Sequence, residues 1–165
     1  MKTIIMGNSG SGKSTLARRL AHLSGAAIMS LDEVAFAAGA ERRPLEESAA
    51  LAREFMRAHV DWVIEGCYAD IIGHLLDECD GLIFLNLGVE TCVAHCEARP
   101  FEPDKYETAE AQDANLEMLI GWVRSYAERL DEYGLKAHRE VFDGFAGIKR
   151  EYTAADQYRG ETRSA

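Results

Sequence analysis

A three-layer α/β fold, with a five-stranded parallel sheet between helices and a helical lid, is what this 165-residue sequence predicts. Three observations predict it. Five short apolar runs alternate with helix-like segments, the pattern of parallel strands joined by crossover helices. The first run passes at once into a glycine loop and then a helix, IIMGNSGSGKSTLARRL at residues 4–20. No repeat, low-complexity block or interior linker breaks the chain, whose length suits one domain over residues 1–165.

The elements follow in order. Strand one spans residues 3–6, and helix one starts at Gly12 or Lys13 and stops near Ser24, with Gly25 suited to a left-handed C-terminal cap. Strand two covers 26–30. Pro44 suits the first turn of the next helix, with Glu46 and Glu47 near its positive end. Leu45, Ala52, Phe55, Met56 and His59 continue one face of that helix at helical spacing. Strand three, 62–65, stops at Gly66, and a helix over 69–79 leads to strand four at 81–87. The helix at 89–98 ends at Arg99-Pro100, where RPFEPDKYETAEAQ (99–112) reads as an exposed loop with two prolines and mixed charge. A long helix over 109–132 follows, with Leu116, Leu119, Ile120, Val123, Tyr126, Ala127 and Leu130 as its apolar stripe. Residues 99–132 make up the predicted lid. A helix at 135–142 and Gly147 lead to strand five at 148–152, and the small polar tail, 153–165, is expected to fray.

Composition narrows the function. Lys and Arg number 18 against 28 Asp and Glu, a formal charge of −10 that argues against a nucleic-acid partner. No apolar run reaches the length of a membrane span, and a strand at the very N-terminus leaves no room for a signal peptide. A cytoplasmic monomer or homodimer with reduced Cys67, Cys79, Cys92 and Cys96 is expected. Cys92, His95 and Cys96 would share one helix face, but a structural zinc site needs a fourth ligand at the usual spacing. Half-buried helix positions are the expectation for these three.

Gly7-Asn8-Ser9-Gly10-Ser11-Gly12-Lys13-Ser14 matches G-x-x-x-x-G-K-[ST] at every specified position, with a strand before it and a helix after. Glycines let the backbone turn tightly and point successive N–H groups at one anion beside the helix N-terminus. Lys13 is placed to reach the β- and γ-phosphates and Ser14 to offer its hydroxyl oxygen to Mg²⁺, with Thr15 completing the phosphate-binding set. ATP and Mg²⁺ are therefore the expected donor and cofactor, on a P-loop NTPase fold. Asp32, which closes strand two in SLDE, would lie at the C-terminal edge of the sheet near the loop. A carboxylate there can orient an acceptor hydroxyl and accept its proton, or simply cap a following turn. Glu65 ends an apolar strand, the physical form of a holder for Mg²⁺-bound water, or stands as a solvated strand-end acid.

GNSGSGKSTLA, LDEVAF, WVIEGCYAD, Arg99-Pro100 and WVRSYAER, in this order along nearly the whole chain, resemble the P-loop kinases related to adenylate, shikimate and gluconate kinases. The closest resemblance is to adenylate-kinase-related proteins carrying the name "DNA topology modulation protein". The resemblance implies ATP- and Mg²⁺-dependent transfer of a phosphoryl group to a small, unidentified acceptor. It implies that Asp32 touches the acceptor hydroxyl or a metal-bound water, and that Glu65-Gly66 stands where adenylate-kinase relatives have Asp-Gly. It also implies that Arg99 stacks on adenine or contacts phosphate. Arg129, and less so Arg124, could swing in from the lid to meet the transferring phosphoryl group, or pair with Glu128 and Asp131. Arg42 and Arg43 lie where relatives bind the acceptor and could grip its anion, or be held by Glu41 and Glu46. The sequence departs from its relatives at Gly66-Cys67-Tyr68-Ala69-Asp70, which has neither the arginine of adenylate kinases nor the triple glycine of shikimate kinases. That departure keeps a second reading open, an ATP-binding switch protein with slow or no turnover; a third, a DNA-modulating ATPase, needs a basic face.

Overall fold

The computed structural model describes residues 1–38, 40–103 and 106–159. Its sheet is built from β1 (Lys2–Gly7), β2 (Ala27–Ser30), β3 (Trp62–Gly66), β4 (Gly81–Leu85) and β5 (Ile148–Tyr152). All four pairings are parallel and the order is β2-β3-β1-β4-β5, so β1 is central. The chain steps outward from β1 to one edge and then crosses to the other. Such a reversal leaves a crevice at the C-terminal ends of the inner strands.

Eight helices cover the sheet among the described residues: α1 (Lys13–Ser24), α2 (Asp32–Ala35), α3 (Leu45–Ala58), α4 (Ala69–Leu75), α5 (Val89–Glu97), α6 (Ala109–Arg124), α7 (Leu135–Gly144) and α8 (Asp156–Arg159). Alternation along β1 divides the core in two. Ile4 and Met6 pack with Met56 of α3, Ile71 of α4 and Phe142 of α7. Ile5, pointing the other way, packs with Leu16 of α1, Val93 of α5 and Val123 of α6. The inner strands are buried on both faces, which is why they read as continuous apolar runs. The predicted three-layer α/β/α architecture is the one observed.

Three local expectations change. The long helix predicted over 109–132 stops at Arg124 and passes into a 3₁₀ turn, Ser125–Ala127. There the Ser125 hydroxyl donates to the Trp122 carbonyl, Tyr126 turns inward to His138, and Leu130 is 87 % exposed instead of continuing the stripe. The helix predicted over 69–79 ends as α4 at Leu75, with a 3₁₀ turn, Leu76–Glu78, completing the segment. The tail is ordered as far as it is described: the Gln157 side chain accepts from the Thr153 and Ala154 amides, and Tyr158 is buried edge-on to Tyr152. The rest of the predicted tail, 160–165, lies outside the described residues, as do Gly39 in the acceptor segment and Asp104 and Lys105 in the proline loop. No helix among the described residues is long and apolar enough to cross a membrane.

Candidate functional site

The glycine loop leaves β1 at Gly7 and enters α1 at Lys13. Gly10 has φ +78°, and a Cβ there would overlap the Cys92 carbonyl and lie 2.7 Å from the Cys96 sulfur. The loop therefore rests directly on α5, and only glycine permits the approach. Nδ1 of His95 donates to the Gly10 carbonyl at 2.8 Å, so the Cys92–His95–Cys96 face serves as the loop's bed. Both thiols are more deeply buried than the expected half-burial. From the other side the buried Asn8 amide donates to the Val123 carbonyl of α6 at 3.1 Å. Lys13 folds back over the loop and donates to the Asn8 carbonyl at 2.8 Å.

Beside the loop lies a cleft of about 840 Å³. Ser9, Gly10, Gly12, Lys13, Ser14 and Thr15 line its floor; Asp32, Glu65 and Cys67 come from the strand ends, and Arg99 from the loop after α5. Of the predicted set, Gly7, Asn8 and Ser11 are buried beneath this surface, and Arg129 is not among the lining residues. Tyr158 does line the cleft, its hydroxyl 3.0 Å from where a Gly12 Cβ would stand.

The Ser14 hydroxyl donates to Glu65 Oε1 at 2.9 Å across 51 residues of sequence. Glu65 is buried at the end of β3, beside Gly66. A hydroxyl and a carboxylate oxygen converging next to Lys13 are hard oxygen donors of the kind Mg²⁺ takes directly or through water. Gly66 brings the next strand end close, since a Cβ there would stand 2.8 Å from that of Leu31. Leu31 N in turn donates to the Glu65 carbonyl, which sets the adjacent Asp32 near the same strand end.

Asp32 does not close β2, which stops at Ser30, but opens α2. Its carboxylate Oδ1 accepts from the Tyr68 hydroxyl at 2.6 Å. Tyr68 is buried, packed edge-on to Phe36 (6.1 Å) and Tyr133 (5.4 Å), with the Arg42 guanidinium 5.1 Å over its ring. Burial first, and Asp32 second, push the Tyr68 phenol far above its ordinary range, so it stays protonated. Arg42 pairs with Asp70 at 2.9 Å and donates to the Ala35 carbonyl and the Ser48 hydroxyl. Arg43 pairs with Glu47 at 2.6 Å and donates to the Phe36 carbonyl. Both arginines thus tie down the loop between α2 and α3 through Asp70 and Glu47, not Glu41 or Glu46.

Beneath this wall is a buried relay. His138 Nε2 donates to the Cys67 carbonyl at 2.9 Å, and Nδ1 accepts from the Tyr126 hydroxyl at 2.6 Å. Burial lowers the His138 pKa to about 4, keeping the ring neutral. The Cys67 thiol is pushed up to about 11 by burial, against the pull of Lys13, so it is an unreactive wall rather than a nucleophile.

The lid arginines differ. Arg99 lines the cleft and pairs with Glu102 at 3.3 Å. Arg124 pairs with Glu90 at 2.7 Å. Arg129 is held by Asp131 and stacks 3.3 Å over Trp122. Tyr68, His138 and Tyr158 do not stand out in the sequence as site residues, and Tyr126 stands out only as part of an apolar stripe. The one signal available for Tyr68 was its place two residues beyond Gly66, at a strand end facing the glycine loop.

A parallel sheet of order β2-β3-β1-β4-β5, with the glycine loop joining its central strand to α1, defines the class: this is the three-layer α/β/α fold of P-loop NTPases. A shikimate kinase from Acinetobacter baumannii, solved in complex with shikimate, is similar with TM-score 0.54 and 18% identity, over 92% of this chain and 84% of that one. Weaker likenesses are a deoxyadenosine kinase from M. mycoides with bound dATP (TM-score 0.43, 12% identity, 92% of this chain and 90% of that one) and a shikimate kinase from Bacteroides thetaiotaomicron (0.46, 17%, 77% and 80%). No family model and no curated protein matches the chain. At this identity the likeness is one of fold.

Proposed function

We propose that the protein is an ATP- and Mg²⁺-dependent phosphotransferase acting on a hydroxyl of a small molecule, working as one domain in the cytoplasm with residues 99–132 as its lid. The observation that carries this reading is the convergence on one cleft of Lys13, Ser14, Glu65, Asp32 and Arg99, drawn from four separate segments. A mechanical or purely structural use of the glycine loop gives no reason for a carboxylate at Asp32 opposite it. The fold shared with the solved shikimate kinase is compatible with the same reading.

In this reading the loop amides and Lys13 hold the β- and γ-phosphates, and Ser14 and Glu65 hold Mg²⁺. The ion would neutralise charge on the phosphates and screen it as the bond to the leaving oxygen lengthens. Asp32 orients the acceptor hydroxyl and takes its proton as the new O–P bond forms. Arg99 exchanges Glu102 for the nucleotide when the loop after α5 closes, excluding water from the cleft.

Purified protein with Mg²⁺-ATP and a panel of nucleosides, nucleotides, sugars and hydroxy acids tests it. One acceptor phosphorylated in step with ADP release is expected. ADP matched only by free phosphate, for every acceptor, would overturn the reading. The commitment of Arg42 and Arg43 to internal pairs favours a second reading, an ATP-binding regulator without a small-molecule acceptor. Its signature would be a nucleotide-dependent change of assembly with no phosphoryl transfer.

A further inference from the structure

We propose that Tyr68 is a positioning residue for the transfer step: its phenol locks the Asp32 carboxylate into the orientation that receives the acceptor's proton. This rests on the phosphotransfer reading above, but the geometry stands independently of it. Asp32 is the first residue of the four-residue α2 and is exposed to the cleft, a place where an aspartate would otherwise sample several staggered rotamers. The Tyr68 hydroxyl bonds Oδ1 at 2.6 Å from a residue 36 positions away, on a different strand connection.

Tyr68 is itself immobilised. It is 4 % exposed, wedged between Phe36 and Tyr133 and covered by Arg42, which Asp70 holds in turn. The phenol is thus a rigid donor fixed by packing, and Asp32 is the mobile group it restrains. Other charged or titratable groups facing this pair are Lys13, Glu65 and Cys67 from the cleft and Glu33 from α2, whose Oε1 accepts from Ser30 N.

The chemistry explains why such a restraint is worth having. As the acceptor oxygen bonds to the γ-phosphorus and the bridge to ADP breaks, the hydroxyl proton passes to Asp32 and then to solvent. Phosphoryl transfer has a loose transition state in which position matters more than strong basicity. The hydrogen bond from the neutral phenol holds one carboxylate oxygen and leaves the other to meet the acceptor. Misplacement by about 1 Å costs up to about a hundredfold.

Tyr68→Phe keeps the ring and its packing and deletes only the donor. It is expected to lower kcat about tenfold with the ATP KM within about twofold, the split that poor orientation produces. A double-mutant cycle with Asp32→Asn separates this from a structural effect: Tyr68→Phe should cost little more once Asp32 can no longer accept the proton. Additive losses, or unchanged kcat in Tyr68→Phe, would overturn the proposal. Crystal structures of both forms should show the Asp32 carboxylate displaced or split between rotamers in Tyr68→Phe; an unmoved carboxylate would also overturn it. If the wild type only hydrolyses ATP, the phosphotransfer reading falls, and the same cycle run on hydrolysis decides the positioning role by coupling or additivity. If Tyr68→Phe does not fold, Asp32→Glu carries the test, since it shifts the carboxylate with Tyr68 intact. Full kcat there would overturn the proposal.

Discussion

The two ends of the cleft are built in opposite ways. The end proposed for phosphate is a stretch of backbone, Gly7 to Thr15, whose donors are neighbours in sequence and whose rigidity comes from packing on α5 and α6. The end proposed for the acceptor rests on side chains joined across the fold: Asp32 with Tyr68 over 36 residues, Arg42 with Asp70 over 28, and His138 with the Cys67 backbone carbonyl over 71. A backbone site tolerates little change in shape and recognises a common group. A side-chain site can be re-specified one pair at a time, which is where kinases of one fold can diverge in acceptor.

The largest expected effect tests the phosphate end. Lys13→Ala removes the cation that donates to the loop at Asn8, and turnover should fall by about a hundredfold to a thousandfold, the scale of losing a preorganised charge donor. Steady-state ATP turnover checks it, and unchanged rates would break the contrast at once.

The next tests the foundations of the acceptor end. Above pH 6.5 His138 is neutral both folded and unfolded. As pH falls from 6.5 to about 4, the unfolded chain binds a proton that the buried ring refuses. Stability should therefore drop across that window, by about 3 kcal/mol in all. Urea midpoints at pH 7 and pH 4.5 measure it, and His138→Gln should flatten the dependence.

A smaller effect separates structure from recognition. Arg42→Ala leaves Asp70 without its partner at a site about a quarter exposed, so a stability loss of about 1–2 kcal/mol is expected. The acceptor KM should stay within about twofold if Arg42 serves the wall and not the ligand. A large rise in that KM, with an unchanged unfolding midpoint, would return Arg42 to the acceptor.

The smallest concerns the Arg99–Glu102 pair beside the cleft. Glu102→Gln frees Arg99 from a partly exposed pair, worth about 0.2–1 kcal/mol, and should tighten ATP binding by no more than about fivefold. Isothermal titration reads it directly, and weaker binding would show that Glu102 helps rather than competes.

Legibility followed the same division. The parallel sheet was readable because β1, β3 and β4 are covered by helices and so appear as apolar runs. The glycine loop was readable because its shape is a backbone geometry that only glycine permits. Where the long helix stops was not readable, because the Leu116 to Val123 stripe points to continuation while Tyr126 is drawn inward by a partner twelve positions later. Arg99 and Arg129 look alike as helix-end arginines, yet one lines the cleft and the other is spent on Trp122 and Asp131.

By itself, then, the sequence determined the layer architecture and the position of the glycine loop between β1 and α1, since period and glycine spacing are local properties of the chain. Tertiary structure alone decided which side chains face that site. Asp32 is held because Tyr68 arrives from another strand connection, and Arg42 is engaged because Asp70 stands where it does. Such pairings depend on distances between segments, and no local pattern in the sequence encodes those distances.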